Sequence, residues 1–155
     1  MTAKELMKQC EAEEKELKFR EFSSETALAI GMALIEEAKK RNNKICIDIA
    51  IAGRRLFHYS SDGNAVSNDI MIERKKKTAM HTGHSSLWAH YMLEDCGMNI
   101  KEKWALEPSE YAQVGGAFPI RLENCQTAIG TITCSGFNHE PVSYTHLRAH
   151  ETRGN

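Results

Sequence analysis

The stretch Gly115–Gly136, GGAFPIRLENCQTAIGTITCSG, restricts the fold of this chain more than any other segment. Two glycines lead into a short apolar run, a turn at Asn124, and a second run of β-branched and small residues. Paired glycines permit backbone conformations and close approaches that a side chain would prevent. The pattern therefore predicts a strand, a turn and a second strand, entered through a backbone suited to glycine.

A second strand pair is predicted earlier in the chain. The segment Ile45–Ile51 places an isoleucine at every other position, so its isoleucines share one face of a strand. Ala52 and Gly53 are typical of a tight turn, and the segment Arg54–Tyr59 returns as the second strand of a β-hairpin. Asp48 lies inside this isoleucine-rich strand, so we expect it to be either exposed or hydrogen-bonded.

Four helices are predicted from apolar residues at helical spacing and from serine or asparagine residues that can cap a helix. Two precede the first hairpin and two separate the hairpins. A glycine at position 31 inside the second helix predicts a close neighbour, because glycine is otherwise costly there. The predicted helices cover residues 2–19, from Ser23 or Ser24 to about Arg41, from a cap at Ser67 or Asn68 through Lys77, and from Ser85 or Ser86 to Gly97.

The predicted order is therefore α-α-β-β-α-α-β-β, with residues 98–114 irregular or weakly helical. Two hairpins separated by a helical pair indicate an α+β fold, in which helices pack against an antiparallel sheet. A chain of 155 residues is most simply one domain.

Composition excludes several classes of function. The net charge of −1 lacks the basic excess of a nucleic-acid or membrane-surface binder, and no apolar run reaches the length of about 20 residues that spans a membrane. The charged N-terminus lacks the apolar centre of a secretory signal. Five cysteines without a CxxC pair favour reduced thiols. We expect a cytoplasmic protein.

Five strings of the chain, taken in order, resemble the haem-degrading-domain family, and within it the small stand-alone cytosolic branch. Each string alone is a weak signal, but their consistent order over roughly residues 15–137 is specific. The strings are FREFSSETALAIG (19–31), LFHY (56–59), IERKKKTAMHTGHSS (72–86), EYAQVGGAFPIRL (110–122) and IGTITCSG (129–136).

The resemblance implies an α+β domain that assembles into rings or higher homo-oligomers and binds a small anionic or tetrapyrrole ligand, with haem as the candidate cofactor. It implies no settled reaction, and no catalytic triad or carboxylate pair stands out from spacing, so catalysis is left open. The alternative is an oligomeric interaction or assembly factor without small-molecule chemistry. The chain departs from the family pattern at Met71, at Lys76-Lys77 and at Val114, where a histidine is common.

The basic stretch Arg74-Lys75-Lys76-Lys77 is the first candidate binding site. Arg74 and Lys77 are three residues apart and share a helix face, whereas Lys75 and Lys76 point elsewhere. An arginine can hold a carboxylate, a phosphate or a haem propionate with two parallel hydrogen bonds. The alternative is a solvated face paired with Glu73 or with the acidic first helix. The resemblance favours Arg74 and Lys75 as ligand contacts.

The turn that follows, His81-Thr-Gly-His84-Ser85-Ser86, is the second candidate. A helix that starts at Ser85 offers free backbone N–H groups to an anion. With Arg74 beside it, the turn predicts one anion-binding corner that includes His84 and Ser85. The plainer alternative is a turn at Gly83 followed by a capped helix.

No metal centre is predicted. Two histidines three residues apart, His81 and His84, could bind a transition metal, but no HExxH or paired-cysteine pattern accompanies them. His58 on its strand could be an axial haem ligand, although a single strand histidine is more often an ordinary structural residue.

The paired glycines Gly115 and Gly116 are the third candidate, because they would let the backbone approach a ligand closely. A purely structural need alone explains them and is the favoured interpretation. Pro119 removes one backbone donor and so predicts an edge strand or a strand start.

Residues 138–155 are expected to form a poorly ordered, non-native tail after a domain of residues 1–137. The segment contains Pro141 and no apolar stripe that could pack on a sheet. Its sequence PVSYTHLRAHETRGN resembles translated sequencing adapter more than evolved protein.

Overall fold

The computed structural model describes residues 1–136, and within that range it contains five helices and one four-stranded antiparallel sheet. This confirms the α+β class and the predicted order, with one short extra helix, α5. The tail prediction and the domain boundary at 137 lie outside the described residues. The elements are α1 Ala3–Glu16, α2 Ser24–Lys40, β1 Cys46–Ile51, β2 Arg54–Ser60, α3 Val66–Thr82, α4 Ser86–Cys96, α5 Ile100–Trp104, β3 Ala117–Ile120 and β4 Gly130–Ser135.

The two predicted hairpins lie side by side in one sheet with the strand order β2-β1-β4-β3. The strands β1 and β4 join them, with Ile47 opposite Cys134 and Ile49 opposite Ile132. β3 is an edge strand, so Pro119 occupies a position where a missing N–H donor is tolerated.

The central strand β1 is buried on both faces. Ile47 and Ile49 belong to the main apolar core together with α2. Asp48 points to the opposite face and is fully buried, with Arg55 Nε donating to its Oδ2 at 2.8 Å. Asp48 was expected to be either exposed or hydrogen-bonded, and the structure shows it hydrogen-bonded.

Gly31 of α2 has the close neighbour that its position predicted. A Cβ atom at this residue would overlap the ring of Phe57 on β2. The absence of a side chain therefore lets α2 approach the hairpin β1–β2 directly.

Each helix starts with a side-chain cap, with the exception of α3. Ser23 and Thr26 form a capping box at α2, and Ser85 caps α4 by accepting a hydrogen bond from the backbone N–H of Trp88. The prediction that Ser67 or Asn68 caps α3 is wrong, because α3 begins at Val66 without a side-chain cap. The Asn68 side chain instead bonds to Asn64 and Ser135.

α1 packs on α4 and forms a second, smaller core, apart from the sheet. Met7 and Cys10 of α1 contact Trp88 and Ala89 of α4. Because α4 follows directly from the turn at residues 83–85, this packing places the inner face of α1 against that turn.

Candidate functional site

A buried carboxylate from α1 fills the start of α4. Glu14 is only 4% exposed, and its Oε1 lies 2.7 Å from Nδ1 of His84. Its Oε2 accepts a hydrogen bond from the backbone N–H of Ser85 at 3.2 Å. The protein's own carboxylate thus occupies the place that the sequence suggested for a bound anion at this helix start.

The cation beside this turn is Arg121, which lies just after β3. Its guanidinium donates to the carbonyl of Gly83, and its Nη1 lies 3.7 Å from Oε1 of Glu14. Arg74 is the cation that the sequence placed here, but Arg74 lines a different cavity. The single predicted corner is therefore divided between two regions of the surface.

The imidazole of His84 is held on two sides. Glu14 binds its Nδ1, and the ring stacks on Trp88 with centroids 3.9 Å apart. Trp88 is in turn fixed by a hydrogen bond from its Nε1 to Oε1 of Glu11 at 3.1 Å. Because Nδ1 is engaged by Glu14, Nε2 is the ring nitrogen left to meet a ligand.

His84 and its neighbours open into a cleft along α1, which we name the α1 cleft. Its volume is about 320 Å³. Three cations and two carboxylates line it beside one imidazole and one amide. The lining residues are Glu11, Glu14, Lys15, Lys18, His84, Arg121 and Gln126.

Arg74 is engaged in holding the loop that precedes β3. Its Nη2 donates to the carbonyl of Pro108 at 2.6 Å and to that of Tyr111 at 3.4 Å, and its Nη1 contacts Met71 Sδ at 3.2 Å. The same guanidinium lines a second cavity of about 390 Å³ with Glu73 and other polar residues of α3. Its role in ligand binding stays a prediction, whereas its role in the loop is visible.

Lys75 and Gly116 do lie together, in the interior. Lys75 is 6% exposed, and its Nζ donates to the carbonyl of Cys134 at 3.1 Å. A Cβ atom on Gly116 would lie 2.8 Å from that Nζ and would overlap the Cys134 carbonyl. Burial lowers the pKa of Lys75. The glycine therefore makes room for a buried lysine, as a purely structural need would require.

Gly115 lies beside Leu87 at the start of α4, so a side chain there would contact the first turn of that helix. The strand β3 is tied to the same turn, because the backbone N–H of Ala117 donates to Ser86 Oγ at 2.9 Å. Gly115, Gly116 and Ser85 thus surround the α4 start, but the α1 cleft is lined by other residues.

Sequence reasoning missed Glu14 and Arg121, which complete the cluster around His84. The sequence does contain a signal for Glu14, because it continues a stripe at helical spacing on the first helix. The structure buries every member of that stripe, which comprises Met7, Cys10, Glu14 and Leu17. A carboxylate on the apolar stripe of a helix requires a partner. Nothing in the local sequence around Arg121 indicates its contacts.

Within residues 1–136, no helix combines the length and the apolar character needed to cross a membrane.

Comparison with known proteins identifies the family. The model of the family described as haem degrading protein HbpS-like matches residues 22–141. A UPF0303 protein of Edwardsiella ictaluri is 35% identical over 136 residues, which cover 88% of this chain and 86% of that protein. A UPF0303 protein of Streptomyces coelicolor is 35% identical over 126 residues, covering 81% and 79%.

Solved structures share the fold. The Ybr137w protein superposes with a TM-score of 0.86 at 30% identity, over 94% of this chain and 87% of that one. A structure of HbpS has a TM-score of 0.64 at 18% identity, with coverage of 86% and 90%. A PduOC:heme complex has a TM-score of 0.64 at 14% identity, with coverage of 86% and 94%. The family match and the curated relatives together show that this chain belongs to the HbpS-like haem-degrading protein family.

Proposed function

We propose that this protein binds a small anionic ligand, of the carboxylate class, in the α1 cleft. The observation that carries the proposal is the fixed His84 imidazole at a cleft of about 320 Å³ that also presents Lys15 and Lys18. Clefts from about 300 Å³ upward are typical of small-molecule sites, with a few positioned polar groups that orient the ligand.

The charge of the cleft supports an anion rather than a cation. Both carboxylates have partners of their own, since Glu14 meets His84 and Arg121, and Glu11 accepts from Trp88. The two lysines add positive charge at the same opening. A ligand carboxylate would meet the ammonium groups of these lysines beside the His84 ring.

Haem is the ligand that the family description suggests, and the structure of PduOC contains it. The α1 cleft suits the propionate edge of haem, because it supplies cations for carboxylates. It is less suited to the macrocycle, because none of the residues that line the cleft has an aliphatic side chain and the ring would meet only the carbon stems of polar and charged residues. A flat apolar ring system is held by apolar walls. We therefore favour a smaller carboxylate as the ligand.

The test is calorimetric titration with citrate as the small carboxylate probe, at low salt. We expect saturable binding of one citrate per chain, weakened roughly tenfold or more when Lys15 and Lys18 are both changed to Gln. The matched control changes Lys39 and Lys101, which lie outside the cleft, to Gln. Equal weakening in the control pair would indicate a general charge effect and would overturn the site.

A parallel titration with haemin separates the two ligand classes. A shifted Soret band that saturates at one haem per chain and weakens in His84→Ala would support haem over the smaller anion. Failure of both citrate and haemin to bind would remove the proposal of ligand binding at this cleft.

Self-association or protein binding is the second candidate function. Leu28 and Met32 stand one helical turn apart on α2 and are each nearly half exposed, as is Met80 on α3. Exposed apolar pairs of this kind are frequent at protein interfaces. We expect light scattering to show a homo-oligomer, and Leu28→Glu with Met32→Glu to lower its mass.

The cysteines of the described residues are free thiols, which supports a cytosolic location.

A further inference from the structure

We propose that Cys46, His58 and Asp69 form a binding site for a zinc-like divalent transition-metal ion. The three residues come from β1, β2 and the first turn of α3. One ligand atom from each residue lies within 4.8 Å of the other two. This site is separate from the α1 cleft, so it does not depend on the function proposed there.

Two of the three distances between ligand atoms are close to those of tetrahedral coordination, and the third is below 4.8 Å. Cys46 Sγ lies 3.2 Å from Asp69 Oδ1, and His58 Nε2 lies 3.6 Å from the same oxygen. In a tetrahedral site with bonds of about 2.0–2.3 Å, ligand atoms stand roughly 3.3–3.8 Å apart. Thiolate, imidazole and carboxylate are the three ligand types that zinc uses in proteins. The site therefore needs little movement to accept the ion.

A buried carboxylate stands behind the histidine. Asp48 pairs with His58 across β1 and β2, and its Oδ2 lies 3.9 Å from Nδ1 of His58. Metal-binding histidines commonly present their second ring nitrogen to such a carboxylate, which orients the ring and raises its basicity. Asp48 is itself fixed by Arg55 and by Lys76, whose Nζ lies 3.0 Å from Oδ1. The ring of His58 thus lies between a fixed carboxylate and the proposed ion.

Charge and access also favour a cation. The cations Arg55 and Lys76 pair with Asp48 and Glu73, whereas Asp69 meets the Cys46 thiol and the His58 ring. Asp69 is about half exposed and borders the cavity of about 390 Å³. An ion can therefore enter from solvent and keep a water molecule in a fourth position. When the sulfur–metal bond forms, the Cys46 thiol proton is released to solvent.

No metal centre is predicted from the sequence, because no HExxH or paired-cysteine pattern accompanies its histidines. The proposed ligands lie 12 and 11 residues apart in the sequence order 46, 58 and 69, with no recognised motif. The pairing of β1 with β2 and the packing of α3 bring them together.

The test is titration of the tag-free, metal-stripped full chain with Co²⁺, which takes the place of zinc and reports its ligands by absorption. We expect visible bands of tetrahedral Co²⁺ and a near-ultraviolet thiolate-to-cobalt band, both saturating at one ion per chain and both removed by zinc. Cys46→Ser should abolish the thiolate band, and His58→Gln or Asp69→Asn should weaken binding tenfold or more.

The matched controls are Cys96→Ser and His90→Gln, which change an exposed cysteine and an exposed histidine outside the cluster. Both should leave the spectrum and the affinity unchanged. Absence of a thiolate band in the unaltered chain, or its survival in Cys46→Ser, would overturn the proposal. Because the first of these outcomes uses the unaltered protein, the test does not depend on the folding of any variant.

Discussion

Glu14 Oε1 lies 2.7 Å from His84 Nδ1, and this contact joins the first helix to the corner between α3 and α4. The other oxygen of the same carboxylate accepts the backbone N–H of Ser85. This one buried side chain therefore accepts a hydrogen bond from the backbone N–H at the start of α4 and orients the His84 ring. It also lies close to the guanidinium of Arg121. The proposed ligand binding and the stability of this corner therefore involve the same group.

Glu14→Ala should destabilise the fold by about 2–4 kcal/mol, because it leaves the buried N–H of Ser85 and the partly buried imidazole of His84 without their partner. Glu14→Gln should cost less, since its amide oxygen can still accept one of the two hydrogen bonds. Chemical denaturation measures both. Lys8→Ala, on the exposed face of the same helix, is the control and should change stability by under about 0.5 kcal/mol. A loss in Glu14→Ala no larger than in this control would contradict the assigned role.

Ile49→Ala should cost about 2–5 kcal/mol, and Ile47→Ala a similar amount, because both side chains are fully buried between β1 and α2. Val66→Ala, at an exposed position at the start of α3, provides the comparison. If both isoleucine variants unfold at the same denaturant concentration as the unaltered chain, these side chains do not point into the core as the structure describes.

Arg74→Ala should destabilise by about 1–3 kcal/mol, because two loop carbonyls lose a charged donor. Lys77→Ala is the matched control on the same helix, since Lys77 is half exposed and its ion pair within residues 1–136 is with the exposed Glu110. The sharper measurement is hydrogen exchange over residues 105–116, which should quicken in Arg74→Ala alone. Unchanged exchange there would return Arg74 to the candidate ligand contacts.

The parts of this fold that could be predicted depend on neighbours in sequence. Each of these signals lies within a few residues of sequence. Examples are the alternation of Ile45–Ile51, the capping box of Ser23 with Thr26 and the helix end at Gly97. The site is not local in this sense. His84 and Glu14 are 70 residues apart, and only the packing of α1 on α4 brings them together.

The same reason explains why Arg74 was chosen and Arg121 was missed. Arg74 is close to His84 along the chain, but the intervening helix carries its side chain to the loop at Pro108. Arg121 is 38 residues beyond Gly83 and reaches it because β3 ends beside that turn. Proximity in sequence is a poor guide to proximity in space whenever a helix separates two residues.

The buried Lys75 makes the stability of this fold depend on pH at the alkaline side. Burial lowers its folded-state pKa below the ordinary value of 10.5, so between those two values the unfolded chain binds the additional proton. Stability supplied through this group therefore rises as pH increases across that window. Below the window, the full cost of burying the charge is present.

Lys75→Met removes that cost while keeping the aliphatic volume, and it gives up one hydrogen bond to the Cys134 carbonyl. We expect the variant to be as stable as the unaltered chain or more stable by about 1–3 kcal/mol near neutral pH. Its advantage should shrink as pH rises toward the ordinary lysine pKa, because the unaltered chain then loses its buried charge.

Denaturation curves for both proteins at several pH values between about 7 and 10 give this difference in stability directly. Burial raises the pKa of the Cys134 thiol to about 12, and the charge of Lys75 opposes that rise, so the folded thiol stays protonated between about pH 7 and 10 in both proteins. A difference that stays constant over this pH range would show that Lys75 carries no charge penalty in the folded protein.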